Sequence, residues 1–240
     1  MYALAANGLP ESSEWIYEVK LDGYRCLAGR DSTSVTLWSR RGNVFTLQFP
    51  GIARACESLE PGTLLDGEIV AIDESGRSSF NMLQHHRSKA SALRFYVFDL
   101  LYDRGQSLLK VPLSRRRELL RKSVTSLKDP ILLSEAFDAE PSELVRAAKE
   151  LTLEGVIAKR KDSFYESGKQ SKEWLCATYP QRSLSALQGP TSRRVPIREP
   201  SREKAYAMRF DAGRNEKLRV AKASARCADR VCGMDTGWPP

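Results

Sequence analysis

The chain has few of the residues that build small metal sites or disulfide frameworks. Its 240 residues include five cysteines and two histidines. The cysteines are odd in number, scattered and without a Cys-x-x-Cys pair, which argues against a zinc site and against a disulfide scaffold. His85 and His86 are neighbours on a predicted helix, and neighbouring residues do not share a helix face, so they make a poor metal clamp. This cysteine usage fits a reducing cytoplasm, where we expect the protein to reside.

Long apolar runs are also absent. No stretch approaches the roughly eighteen apolar residues of a transmembrane helix. The N-terminal segment MYALAANGLPESSEW has no basic region and only a short apolar run, which argues against a secretory signal peptide. Hydrophobic residues make up 41% of the chain and charged residues 28%, as in soluble globular domains. We therefore expect no membrane partner.

The net charge of +8 is concentrated at one end of the chain. Residues 1–176 carry 25 Lys and Arg against 24 Asp and Glu, whereas residues 177–240 carry 13 against 6. The second segment has only 13 strongly apolar residues among its 64 positions and is rich in Ser, Arg and Pro. Such a composition buries too little apolar surface to offset the entropy of the chain. We predict a folded domain over 1–176 and a basic, disordered tail over 177–240.

Apolar patterning in the first segment predicts interspersed strands and helices. Runs rich in β-branched and aromatic residues, ended by turn signals, predict strands at 14–20, 34–40, 63–73, 92–102 and 153–160, the fourth being central. Helical spacing predicts helices at 49–59, 80–88, 112–124 with Ser114 as N-cap, and 141–151 with Pro141 at the first helical position. Because no regular βαβ alternation appears, we predict an α+β fold with antiparallel or mixed sheets.

One short segment, KLDGYR at 20–25, combines an amine, a carboxylate and a guanidinium at the end of a predicted strand. Lys20 and Asp22 point to the same side of an extended chain, and the Asp-Gly pair allows a tight turn that returns Arg25 to that side. A lysine near another cation and partly desolvated loses its proton more readily and becomes a nucleophile. The alternative is a hairpin end with solvated charges, and this segment alone does not decide between them.

Further motifs follow KLDGYR in a fixed order. They are SRRG (39–42), LLDGEIVAID (64–73), FYVFDLLY (95–102), EGVIAKR (154–160) and a tryptophan at 174. As a set they resemble the covalent lysine nucleotidyltransferases, and they are most similar to the bacterial ATP-dependent DNA ligases of the repair type over about residues 1–175. The resemblance implies an ATP-grasp-like nucleotidyltransferase fold, in which mixed and antiparallel sheets enclose a nucleotide cleft.

The resemblance also implies a role for each motif residue. Lys20 would attack the α-phosphate of ATP and form a lysyl-AMP intermediate. Glu68 and Glu154 would hold Mg²⁺ or Mn²⁺, with Glu68 alternatively contacting the ribose. Each of three residues also has a purely structural interpretation when it is taken singly. Glu68 could be the outward polar residue of a strand, Phe98 a core aromatic, and Lys159 a solvated residue at a strand end. Nucleotide binding is assigned to Glu18, Arg25, Arg40, Glu68, Phe98 and Lys159, with Phe98 stacking on adenine and Lys159 contacting phosphate.

One basic segment lies outside these motifs, and the stretch after Trp174 departs from the family pattern. The helix start SRRREL (114–119) is basic enough to contact DNA phosphates, but it fits a solvated helix face better. After Trp174 the pattern expects two lysines, and this chain has Cys176 and Thr178, neither of which carries a positive charge at neutral pH. Residues 177–240 contain no recognisable OB-fold pattern, although the family's ligases continue into such a domain. One hypothesis is a shifted reading frame near codon 176.

We predict the adenylation domain of an ATP-dependent DNA ligase that acts in DNA repair and recombination. Its partners would be ATP, a divalent cation and nicked duplex DNA, and we expect a monomer. Nick sealing would be weak or absent because of the changes after Trp174. An RNA ligase or a GTP-using capping enzyme of the same superfamily is one alternative. A non-catalytic, nucleotide-binding remnant is the other.

Overall fold

The computed structural model describes residues 1–73, 78–85, 92–125, 127, 129–137, 139–151 and 153–179. Within them the strands are β1 Tyr2–Ala5, β2 Trp15–Lys20, β3 Tyr24–Arg30, β4 Val35–Ser39, β5 Thr63–Ile72, β6 Ala92–Asp103, β7 Gln106–Ser107, β8 Ile131–Leu133, β9 Gly155–Arg160 and β10 Gln170–Thr178. The helices are α1 Pro50–Ala55, extended by a 3₁₀ turn at Cys56–Ser58, α2 Phe80–Gln84, α3 Leu113–Val124 and α4 Pro141–Glu150.

The strands form two sheets. The first sheet has the order β1-β10-β9-β2, and the second has the order β4-β3-β5-β6-β7, with β8 paired to β6. β1 with β10 and β6 with β8 are parallel pairs, whereas the remaining pairs are antiparallel. The sheets are therefore mixed, as predicted, and β6 is an interior strand with partners on both sides.

Apolar side chains pack in three layers around the two sheets. The largest cluster lies between the second sheet and its helices and includes Leu65, Phe95 and Leu120. A second cluster joins the two sheets through residues such as Phe98 of β6 and Trp174 of β10. The third cluster packs α4 on the outer face of the first sheet. Alternation along β2 and β9 explains this placement, because successive side chains point to opposite faces.

All five predicted strands and all four predicted helices are present, with shifted ends. The sequence pattern missed β1, β3, β7, β8 and β10, which are short or interrupted by charged residues. Pro141 does occupy the first position of α4. Ser114 is not the N-cap of α3, which begins at Leu113 after Pro112. The N–H groups of Leu113 and Ser114, which have no acceptor within the helix, donate instead to the carbonyls of Ser163 and Lys161, so a neighbouring loop replaces the side-chain cap.

The prediction that SRRREL forms a solvated helix face was wrong for two of its three arginines. Arg115 is about half exposed, but Arg116 and Arg117 are buried. Each buried guanidinium faces a buried carboxylate, Asp99 for Arg116 and Glu18 for Arg117, and such pairing is what allows a charged group to be buried. The local pattern of polar residues cannot reveal partners that are distant in sequence.

Two further predictions fall largely outside the described residues. His86 lies outside them, so the His85–His86 pair is not described as a pair. Of the predicted tail, only residues 177–179 are described, so the disordered tail, the absent OB-fold pattern and the shifted reading frame stay predictions. None of the described helices is long and apolar enough to cross a membrane.

Candidate functional site

A cleft of about 770 Å³ lies between the two sheets. One wall is formed by the inner face of the first sheet, where three rows of directly opposed residues cross β2, β9 and β10. Opposed residues of adjacent antiparallel strands project from the same face, so each row presents its side chains together. The rows are Lys20-Gly155-Thr178, Glu18-Ile157-Cys176 and Ile16-Lys159-Trp174.

The segment KLDGYR is the point at which the chain crosses from one sheet to the other. Lys20 is the last residue of β2 in the first sheet, and Arg25 is the second residue of β3 in the second sheet. Gly23 lies against β5 so closely that an added Cβ would be 2.2 Å from the carbonyl oxygen of Ile69. Only glycine fits this approach, and it allows Lys20 and Arg25 to line the same cleft from opposite walls.

The Lys20 ammonium forms an ion pair with the Glu154 carboxylate, and both side chains are about a quarter exposed. Glu154 immediately precedes β9 and therefore sits beside the end of β2. We expected a second cation next to the lysine, but its direct partner is an anion. For Lys20 to act as a nucleophile, this ion pair must open and the amine must lose its proton.

Arg25 is held from below by a buried carboxylate. Its Nε and Nη2 donate hydrogen bonds of 2.5 and 2.6 Å to the two oxygens of Asp66, a residue of β5 with no solvent exposure. The Tyr165 hydroxyl donates a third hydrogen bond, of 2.8 Å, to Asp66. Burial by itself raises the pKa of Asp66, but the Arg25 guanidinium outweighs it and holds that pKa below its usual value. The bidentate pair fixes the direction of the guanidinium.

Glu68 lies two residues after Asp66 and directly opposite Arg25 across β5 and β3. Its side chain is half-buried in the cleft, and burial raises its pKa from 4.5 to about 7, although Arg25 and Lys20 act in the opposite direction. Among the described residues no hydrogen bond or ion pair to the Glu68 carboxylate is formed. A carboxylate without a fixed partner is free to accept a hydrogen bond or to bind a cation.

Aromatic rings and a buried lysine form the floor of the cleft. The Lys159 ammonium lies 4.2 Å from the ring centroid of Phe98 and 4.4 Å from that of Trp174. Arg25 packs on the Phe98 ring as well, with its Cζ 4.6 Å from the centroid. Trp174 meets Phe98 edge to face at 6.2 Å. Burial lowers the pKa of Lys159, against the opposing effect of Glu18.

Glu18 is a buried residue at the base of the cleft, and its carboxylate accepts hydrogen bonds from three donors. Lys159 Nζ and the Ser134 hydroxyl each donate to its Oε2 at 2.9 Å. Its other oxygen, Oε1, accepts a short hydrogen bond from Nη1 of Arg117 in α3.

Arg40, by contrast with the buried Glu18, is exposed at the rim of the cleft. Its Cζ lies 4.2 Å from the centroid of the Tyr2 ring.

The two positions that depart from the family pattern both lie on the cleft wall or its edge. Cys176 lines the cleft in the same row as Glu18. Burial raises the pKa of its thiol despite the nearby Lys20, which favours the neutral form at physiological pH. Thr178 is exposed in the row that contains Lys20. No positive charge is therefore supplied from either position.

The cleft brings together nearly all of the predicted site residues. Lining it are Glu18, Lys20, Arg25, Arg40, Glu68, Phe98 and Lys159, and Glu154 reaches it through Lys20. The motif comparison did not find Asp66, Tyr165 or Arg117, which hold other site residues from behind. Asp66 stands in the LLDGEIVAID motif, where it had no assigned role, and Tyr165 lies nine residues before Trp174, outside the motifs quoted above. Arg117 carried no such signal.

Of the two acidic residues that were predicted to hold a divalent cation, Glu68 lines the cleft and Glu154 is paired with the cleft residue Lys20. Glu68 belongs to the second sheet, and Glu154 precedes a strand of the first. Within the described ranges there is no group of three or more His, Cys, Asp or Glu side chains arranged to hold a metal. Mg²⁺ commonly binds through one or two carboxylates together with water and substrate phosphates, and Glu68 and Glu154 supply side chains of that chemical type.

A family model for the ATP-dependent DNA ligase domain matches residues 5–176. The chain belongs to this family. A multifunctional non-homologous end joining protein LigD of Pseudomonas aeruginosa is 36% identical over 170 residues, which make up 69% of this chain and 20% of that protein. A DNA ligase of Thermococcus fumicolans is 34% identical over 184 residues, or 70% of this chain and 33% of the ligase.

Solved structures agree with this assignment. One described as mycobacterial DNA ligase D complexed with ATP and MES matches with a TM-score of 0.67 at 32% identity, over 74% of this chain and 59% of that chain. The chain therefore contains an ATP-dependent DNA ligase adenylation domain with an α+β nucleotidyltransferase fold, as the motifs predicted. It spans about a fifth of the LigD protein and a third of the archaeal ligase that it matches.

Proposed function

We propose that this chain catalyses the ATP-dependent adenylylation step of DNA nick sealing, with Lys20 as the nucleophile. The amine of Lys20 would form a bond to the α-phosphorus of ATP while the bond from that phosphorus to the bridging oxygen of the β-phosphate breaks. Pyrophosphate leaves, and a lysyl-AMP phosphoramidate remains. The Lys20 ammonium has given up two of its three protons to solvent, one before the attack and one after the nitrogen–phosphorus bond has formed. The observation that carries the proposal is the joint placement of Lys20 with two phosphate-compatible cations and two carboxylates in one cleft.

The surrounding residues supply positioning and charge for this step. Arg25 is oriented by Asp66 and is suited to contact a phosphate oxygen. The rings of Phe98 and Trp174 offer the apolar surface on which a purine packs. Glu68 and Glu154 would hold a divalent cation, which neutralises phosphate charge and favours attack. Binding of that cation by Glu154 would also release Lys20 from its ion pair.

Transfer of AMP to DNA is the second part of the proposal. AMP would pass from Lys20 to the 5′-phosphate of a nick, and the 3′-hydroxyl would displace it to seal the strand. The exposed Arg40 and its neighbour Arg41 at the rim of the cleft suit a contact with the DNA backbone. Relatives named as DNA ligases favour DNA over the RNA and capping alternatives. We further propose that the protein acts as a cytoplasmic monomer.

A second candidate function is that of a domain that binds nucleotide but does not catalyse adenylylation. The observation that favours it is the neutral pair Cys176 and Thr178 at the positions where the family pattern has two lysines. Loss of one preorganised donor to a developing charge costs about 3 kcal/mol of transition-state stabilisation, or roughly a hundredfold in rate. For this candidate the expected behaviour is binding of ATP without transfer of AMP to Lys20.

Labelling with radioactive nucleotide separates these possibilities. The full chain is incubated with α-labelled ATP or GTP and Mg²⁺, denatured and resolved on a gel. Label from ATP alone, absent in Lys20→Ala, supports adenylylation at Lys20. Label from GTP would favour a capping-type enzyme. Binding of ATP without label, at any Mg²⁺ or Mn²⁺ concentration, would leave the non-catalytic domain as the better description.

A further inference from the structure

Arg117 lies outside the lining of the cleft but contacts three of the segments that form it. Its Nη1 donates to Glu18 Oε1 of β2 and, at 3.3 Å, to the carbonyl oxygen of Phe98 in β6. Its Nη2 donates a 2.8 Å hydrogen bond to the carbonyl oxygen of Ser134, just beyond β8. The guanidinium therefore connects the first sheet to the second directly beneath the floor of the cleft.

The charges beneath the floor do not balance. Glu18 is the shared counter-ion of Arg117 and Lys159, so two positive charges meet one negative charge. The neighbouring Asp99 is matched by Arg116 through two hydrogen bonds of 2.7 and 2.9 Å. Among the described residues this cluster carries a surplus of one positive charge, and Lys159 brings that charge to the cleft surface between Phe98 and Trp174.

We propose that Arg117 is a positioning residue that keeps this surplus charge available for the phosphates of a bound nucleotide. With Arg117 present, Glu18 is shared, and Lys159 is only partly neutralised. Without the Arg117 charge, Glu18 would pair with Lys159 alone and the floor of the cleft would be neutral. Charges in a poorly solvated site act over longer distances than charges in water, so the change would reach the cleft. The inference rests on the proposed function, because it takes the ligand to be ATP.

Comparison of ATP with adenosine isolates the charge effect. Both ligands present the same base and sugar, but only ATP carries phosphates. We expect Arg117→Gln to lower the affinity for ATP by about tenfold and that for adenosine by less than about twofold, because Gln keeps a polar side chain at this position but carries no charge. Arg117→Lys keeps the charge with fewer hydrogen bonds and should retain the ratio of ATP to adenosine affinity within about threefold. Titration calorimetry on the full chain gives both constants.

A matched control and a compensating variant complete the test. Arg115→Gln removes a charge from the same helix at a half-exposed site and should leave the ratio unchanged. Glu18→Gln combined with Arg117→Gln removes one charge of each sign, so the surplus returns and so should the ratio. Equal losses of ATP and adenosine affinity in Arg117→Gln would show a merely structural role and overturn the inference.

The inference would also be overturned if Arg117→Lys changed the ratio of ATP to adenosine affinity as much as Arg117→Gln does. It would be overturned as well if the double variant did not recover that ratio. Thermal unfolding of each variant, measured alongside, identifies any that does not fold. Should Arg117→Gln fail to fold, Arg117→Met replaces it as the neutral variant. A wild-type chain that does not bind ATP overturns the proposed function itself. A wild-type chain that binds ATP, with an unchanged ratio in the neutral variant, overturns only the role of Arg117.

Discussion

Thr178 lies in the same cross-strand row as Lys20, with only Gly155 between them. Two strand spacings separate their Cα atoms by about 10 Å, and Gly155 contributes no side chain to the space above it. An added Cβ at Gly155 would lie 2.2 Å from the carbonyl oxygen of Ala177, so glycine is required there for packing. A long side chain at position 178 would consequently extend over Gly155 toward the nucleophile.

Restoring two lysines should therefore increase adenylylation. We expect Cys176→Lys or Thr178→Lys alone to raise the rate of label transfer from ATP by up to about a hundredfold, and the two together to raise it further, because each restores a cation near the α-phosphate. Gln106→Lys with Ser107→Lys adds the same charge at two exposed positions of β7 and is the control. A rate that rises equally in the control would point to a general charge effect, and no rise in either would remove these two positions as the cause of impaired activity.

Replacing Lys20 by Arg should abolish labelling without abolishing nucleotide binding. Arginine keeps the positive charge and can pair with Glu154, but it is not deprotonated in proteins and is not a nucleophile. Gel labelling should fall below detection, while the affinity for ATP stays within about threefold by titration calorimetry. Continued labelling of Lys20→Arg would place the covalent bond on another residue.

Glu68 should make the stability of the protein depend on pH. Burial raises its pKa from 4.5 to about 7, so the folded chain holds a proton that the unfolded chain has already lost between these values. The free energy of unfolding should consequently fall as pH rises from about 4.5 to 7, by on the order of 2 to 3 kcal/mol, and then level off.

Denaturant unfolding of the wild-type chain and Glu68→Gln at several pH values tests this. In Glu68→Gln the free energy of unfolding should lack the decrease between about pH 4.5 and 7 that is due to Glu68. Glu60→Gln, which changes an exposed carboxyl, should follow the wild type. Parallel curves for the wild type and Glu68→Gln would contradict the raised pKa.

Tyr165→Phe should weaken the support of Arg25. The change removes the hydroxyl that donates to Asp66 while keeping the ring against Trp174, which it meets edge to face at 6.2 Å. We expect a loss of about 1 kcal/mol in the free energy of unfolding, with a modest decrease in labelling rate. Tyr17→Phe, which removes a hydroxyl that donates to Pro10 outside the cleft, is the matched control. A larger decrease in labelling rate in Tyr17→Phe than in Tyr165→Phe would argue against a contribution of the Tyr165–Asp66 hydrogen bond to the positioning of Arg25.

The motifs and the strongest strands were predictable because their signals are local. The β-branched and aromatic runs of β5 and β6 carry their own strand preference, and the motif letters around Lys20 and Glu154 stand in a fixed order along the chain. Family, fold class and the members of the cleft followed from these. By contrast, β3 and β10 contain Arg, Gly, Lys and Glu at positions that blur any alternation, and they are strands because neighbouring strands pair with them.

Tertiary structure alone decided how the charged residues of the site are used. The SRRREL segment reads as a solvated helix face, yet Arg117 is buried because Glu18, 99 positions earlier in the chain, meets it beneath the cleft. Glu18, in turn, is engaged by Lys159 from 141 positions away. Burial of a charge is favourable only when a partner compensates for lost hydration, and the identity of that partner depends on how the two sheets pack. The sequence by itself determined which groups the cleft contains, and packing determined which of them hold the others in place.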